Sequence, residues 1–98
     1  MTEMLLSTKD IAALKARAHH LNPVVMIGQN GLTDAVIQET DTHLTAHELI
    51  KVQVADDDRA ERAAIAQALC GAVDAHLVQH IGKQLVLFRP KPEKPQPK

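Results

Sequence analysis

The sequence predicts an α/β domain of the two-layer α+β type, in the order α-β-α-β-α-β-β around a mixed four-stranded sheet. Two observations carry this. Apolar residues recur at helical spacing in three stretches, and four short stretches between and after them run continuously apolar or alternate. The last two short stretches flank Gly82-Lys83, which reads as a hairpin turn. Strands separated by helices run parallel through right-handed crossovers, so only the final hairpin adds an antiparallel strand.

Taken in order, Met1 to Leu6 is a short lead-in, and Ser7 with Asp10 forms a capping box. The first helix then runs to about His20, with Ile11, Leu14, Ala18 and Leu21 on one side and Lys9, Lys15, Arg17 and His19 on the other. Asn22 before Pro23 ends it. Val24 to Ile27 is continuously apolar and β-branched, which predicts a strand covered on both faces. Gly28-Gln29-Asn30-Gly31 is a tight loop, and Thr33 caps a second helix from about Asp34 to Ala46, with Val36, Ile37, Thr40 and Leu44 inward. Residues 49–54 alternate, placing Ile50, Val52 and Val54 in the core and Lys51 and Gln53 on the opposite face. Asp56-Asp57-Asp58 opens a third helix, with Arg59, Glu61 and Arg62 on a solvated face and Ile65, Ala66, Leu69 and Val73 inward. Gly71 marks its end or a packing contact. Leu77–Ile81 and Gln84–Arg89 form the hairpin. Four prolines and three lysines in residues 90–98 predict a disordered or polyproline-like tail, so the folded domain is residues 1–89.

Ninety-eight residues with 45% apolar content suffice for one core. The lone Cys70 permits no internal disulfide, which fits a reducing compartment. No apolar run approaches the roughly 20 residues of a membrane span, and no charged-then-apolar leader opens the chain. A soluble, cytoplasmic protein with no membrane partner is expected. Net charge is −1, so any nucleic-acid site must be a local patch. Phe88 is the only member of the Phe/Trp/Tyr set, too few rings for a stacking sheet face. If such a chain binds nucleic acid, it grips the backbone.

The glycine loop is the leading candidate for that grip. It lacks the third glycine of a dinucleotide fingerprint and the Lys-Ser/Thr of a triphosphate loop. Glycines around two amide residues nevertheless let a phosphodiester backbone approach backbone N–H groups at the positive end of a helix. Six histidines raise the question of a metal, but His43 is followed by Leu44 where a zinc-protease helix needs glutamate, with Glu48 only after His47, and His76 and His80 are about 13 Å apart on a strand. No metal, cofactor or small-molecule substrate is expected. Ser7, Thr33, Thr40 and Thr42 are explained as caps or helix-surface residues, and Cys70 has no basic neighbour in sequence, so no enzyme is expected either. Lys15, Arg17, Lys51 and Arg89 are the cations best placed to neutralise phosphates.

Three ordered blocks add a resemblance. Leu14-Lys15, Ala18-His19, Leu21 and Pro23-Val24-Val25 leading to Ile27-Gly28-Gln29-Asn30-Gly31-Leu32-Thr33 form the first. His47-Glu48-Leu49-Ile50-Lys51-Val52 is the second; Val78-Gln79, Ile81-Gly82-Lys83 and Leu85-Val86-Leu87-Phe88-Arg89-Pro90 make the third. Together they resemble the CRM domain, and within it the stand-alone bacterial YhbY-type proteins. The resemblance implies a fold similar to the C-terminal domain of translation initiation factor three, with strand order 1-2-4-3 and strand four opposed to the others. It also implies RNA binding through Gly28, Gln29, Asn30 and Gly31, supported by Lys15, Lys51 and Arg89. The implied partner is ribosomal RNA in precursors of the large ribosomal subunit; a monomer is expected. Members are typically basic, whereas here Asn22 and Gln29 stand where relatives often have lysine, which implies a weaker clamp. The alternative is an adaptor that binds ribosomal or assembly proteins through its sheet face or tail.

Overall fold

Ser7 starts the first helix as its sequence predicts. Its hydroxyl accepts from the Asp10 N–H at 3.1 Å, and the Asp10 carboxylate accepts from the Ser7 N–H at 3.2 Å. A computed structural model describes residues 7–90; the expected lead-in and nearly all of the expected tail lie outside them. The elements are α1 (Thr8–Ala18), β1 (Pro23–Ile27), α2 (Asp34–His47), β2 (Leu49–Val54), α3 (Arg59–Val73), β3 (His76–Ile81) and β4 (Gln84–Phe88). The order is the expected one, with α1 ending slightly early at Ala18 and His19 as its cap.

The sheet has the order β1-β2-β4-β3. β1 and β2 are parallel, and β4 runs antiparallel to both β2 and β3. Gly82, at φ 55, supplies the positive angle that suits the first position of the hairpin turn.

Strand alternation divides the core in two. Val25, Ile27, Ile50, Val52, Val54, Leu85 and Leu87 point to one face, where Leu44 of α2 and Ala66, Leu69 and Val73 of α3 cover them. Leu49, Val78, Val86 and Phe88 point to the other, where Leu14 and Ala18 of α1 cover them. α1 therefore adds a partial third layer that the two-layer expectation did not contain. Its apolar stripe, extended by Ile11 and Leu21, packs chiefly on β2, β3 and β4.

That geometry corrects the first strand. β1 is buried on one face only: Val25 and Ile27 are covered, while Val24 and Met26 are 39% and 63% exposed. A continuous apolar run signals two-sided cover only when a neighbour exists on each side, and β1 is an edge strand beyond α1. Gly71 is likewise neither a stop nor a close packing contact. α3 continues past it to Val73, closed by Asp74 in the left-handed region, and a Cβ at Gly71 would meet nothing within 4 Å.

A single residue, Glu48, joins α2 to β2 with φ 68 and ψ −45. Its N–H donates to the Leu44 carbonyl at 2.8 Å, and its own carbonyl accepts from the Arg89 N–H at 2.9 Å.

Candidate nucleic-acid interface

The glycine loop leaves the far end of β1. Gly28 to Gly31 form a tight turn closed by the Gly31 N–H donating to the Gly28 carbonyl at 3.0 Å. Gly31 needs its lack of a side chain, because it sits at φ 72. Gly28 has no such angle, and an added Cβ there would meet nothing within 4 Å. Gln29 and Asn30 are exposed. Thr33 caps α2 as expected, accepting from the Val36 N–H at 3.2 Å.

The loop's surroundings are acidic. Gly28, Gln29 and Gly31 share a cleft with Ala55, Asp56, Asp57 and Ile65. Asp56 accepts from the Asp58 N–H, and Asp58 caps α3 by accepting from the Ala60 N–H, so the acidic triplet caps α3 as expected. Asp57 instead pairs with Lys83 of the hairpin turn. Lys83, first by its hydrogen bond and then by its charge, holds the Asp57 carboxyl below its ordinary value.

The cations gather elsewhere. Lys51 projects from the α1 side of β2, half-buried, between two grooves that flank the C-terminal half of α1. One groove has a volume of about 500 Å³ and is walled by Arg17, His20, Asn22, Val24, His47 and Lys51, over a floor that includes Leu49 and Ile50. The other, of about 480 Å³, includes Lys15, His19, Lys51, Gln79, Ile81 and Gln84. Among the described residues, no carboxylate lines either groove. Lys51 pairs in register with Pro23, at the opposite end of β1 from the loop. Four strand residues separate the two regions, roughly 13 Å.

Arg89 belongs to neither. It sits on the α2/α3 side and donates to the Asp41 carboxylate (2.7 Å), the Asp41 carbonyl (3.2 Å), the Val73 carbonyl (2.8 Å) and the Thr45 hydroxyl (2.9 Å). Its guanidinium ties α2 to the end of α3. Arg62 also departs from expectation. It is 7% exposed, donating to the Asp56 carbonyl at 2.9 Å and to His80 Nε2 at 3.4 Å, because α3 turns that side toward β3. Burial pushes the Cys70 thiol up to about 11, which makes it a poor nucleophile at neutral pH. Among the described residues, no group of three or more His, Cys, Asp or Glu side chains is placed to hold a metal, and no helix is long and apolar enough to cross a membrane.

With this geometry in hand, comparison with known proteins is direct. The family model described as the CRS1 / YhbY (CRM) domain matches residues 6–89. The chain belongs to this family. It is 52% identical over 88 residues to an RNA-binding protein of Haemophilus influenzae, covering 90% of this chain and 89% of that one. It is 41% identical over 93 residues to a protein of Pseudomonas aeruginosa named as a probable RNA-binding protein, covering 93% and 89% of the two chains. The solution structure of a hypothetical protein from Staphylococcus aureus superposes with a TM-score of 0.81 at 32% identity, covering 91% of this CRM chain and 93% of that one.

Of the sequence-predicted residues, the CRM fold brings Lys15, Arg17 and Lys51 together and keeps Gly28, Gln29, Asn30 and Gly31 as a separate cluster. The structure adds His20 and His47 to the larger groove and places there Asn22, which the resemblance marks as standing where relatives often have lysine. Histidine spacing in the sequence points only to a metal question, and the placement of these two beside two cations depends on how α1 and α2 end.

Proposed function

We propose that this CRM protein is a non-catalytic RNA-binding protein of the bacterial cytoplasm that holds ribosomal RNA in precursors of the large ribosomal subunit. The observation that carries the reading is the position of Lys51. It stands between a groove containing Arg17 and a groove containing Lys15, and among the described residues no carboxylate lines either, in a chain with 12 acidic residues. Phosphates placed there are neutralised by three side chains, and binding of this kind releases counterions. The names of the relatives from Haemophilus influenzae and Pseudomonas aeruginosa support RNA as the partner. The resemblance to YhbY-type proteins supports the ribosomal precursor.

The glycine loop takes the second place in this mechanism. The strand leaves the grooves along the exposed side of β1, past Val24 and Met26, and reaches the loop, where Gln29 and Asn30 donate hydrogen bonds to phosphate oxygens. Asp56 and Asp57 weaken attraction at that end, and the pairing of Asp57 with Lys83 offsets part of it. The open space beside Gly28 admits a close approach.

The test is a salt titration with a fragment of large-subunit ribosomal RNA. Log affinity falls linearly with log salt, and Lys15→Ala, Arg17→Ala and Lys51→Ala each make the slope shallower by about 0.7 for a single-stranded contact. A slope that none of the three changes overturns the assignment. The exposed apolar residues Met26 and Ile81, at 63% and 56%, favour the adaptor as the second reading. A partner retained after ribonuclease treatment would establish it.

A further inference from the structure

The groove between the ends of α1 and α2 holds more than charge. Besides Arg17 and Lys51, its lining includes the imidazoles of His20 and His47, the amide of Asn22 and the apolar side chains of Val24 and Leu49. We infer that this groove receives one unpaired nucleotide, with its base against the His20 and His47 rings and its flanking phosphates on Arg17 and Lys51. The inference rests on RNA being the partner and adds what the cleft recognises: a base, and not the backbone alone.

Four features converge on it. A volume of about 500 Å³ falls in the range of small-ligand clefts, which are largely apolar with a few polar groups that fix orientation. Imidazole is among the rings on which unpaired RNA bases stack. The single Phe/Trp/Tyr residue, Phe88, is buried in the core, so the histidines are the rings this surface has to offer. Each groove imidazole is also steadied by a second one. His20 meets His19 edge-on with ring centres 5.7 Å apart, and His47 lies nearly parallel to His43 at 6.0 Å. A ring already held by a neighbour loses less freedom when a base docks against it. Asn22, with both a donor and an acceptor, is suited to the edge of that base.

The experiment compares two probes on the full chain: a short single-stranded RNA of mixed sequence, and the same ribose–phosphate strand carrying no bases. The natural strand binds more tightly, by between about 5-fold and 150-fold, the range expected for stacking one base. His20→Ala and His47→Ala each shrink that gap and leave the affinity of the base-free strand unchanged. Lys51→Ala weakens both strands alike. Both histidines are exposed, so the variants keep the wild-type urea midpoint. Equal affinity for the two strands overturns the base site while the phosphate reading stands. A gap that survives both histidine substitutions places base contact elsewhere and also overturns it. Histidine variants that weaken both strands equally mean that the rings act only as charge, which again defeats the inference. Failure of both strands to bind defeats the RNA reading itself.

Discussion

The glycine loop and the groove beside α1 lie at opposite ends of the same strand, and they invert what their sequences advertise. The loop has the recognisable motif, yet one of its N–H groups is spent on closing its own turn, and two carboxylates share its cleft. The groove has no motif, yet Arg17 and Lys51, with Lys15 across the sheet face, meet there without an acidic neighbour among the described residues of its lining. A motif reports backbone conformation. Which charges surround it is decided by segments far away in sequence, here the start of α3 and the end of α1.

Several measurements would break or sharpen that contrast. The largest effect is expected from Lys51→Glu, which sets a negative charge between both grooves. RNA affinity should fall on the order of 100-fold, as like charges brought together at an interface cost several kcal/mol. If binding survives this change, the groove is not the principal site. Arg89→Ala tests the cation outside both regions. It should lower unfolding stability by about 2 kcal/mol in urea, since charge-assisted bonds to Asp41, Val73 and Thr45 are lost, and leave RNA affinity alone. A matching loss of affinity in the folded variant would return Arg89 to the interface.

Smaller changes belong to the loop. Gln29→Asp with Asn30→Asp should reduce affinity by roughly tenfold with the urea midpoint unchanged, less than the groove reversal because no native cation is lost there. Gly28→Ala meets no neighbour within 4 Å and no positive φ, so it should be neutral to stability. It should cost RNA affinity only if a strand passes against that backbone. Unchanged affinity in both variants would remove the loop from the mechanism.

The smallest effect concerns Asp57. Its folded value is depressed by Lys83, so its contribution to stability is present above the ordinary value of 3.8 and is lost as pH falls through the lower folded value. Asp57→Asn should therefore flatten stability against pH slightly in the acid range below 3.8, and nowhere near neutrality. An effect at neutral pH that exceeds the loss of this exposed pair would mean Asp57 does something else.

Much of the architecture was legible because it follows from local chemistry. Ser7, Thr33 and Asp58 cap their helices as expected, and Ile50, Val52 and Val54 enter the core while Lys51 and Gln53 take the other face. What periodicity cannot supply is the neighbour. It assigns a residue to a face without saying which element covers that face, which is why the apolar run of β1 predicts cover on both faces where only one has it. The same gap explains the arginines. Arg62 lies on what the helix pattern marks as a polar side, but β3 packs there. Arg89 follows a strand in a basic context, yet Asp41 and the Val73 carbonyl reach it first.

The joint at Glu48 has a consequence for how the larger groove behaves. His47 and Lys51 stand on opposite sides of this single residue, so two of the groove's walls are set by one backbone joint. Glu48 adopts a φ of 68, which a non-glycine residue seldom does, and hydrogen bonds to Leu44 and Arg89 hold it on both sides. A substitution that relaxes this joint would therefore move both walls at once.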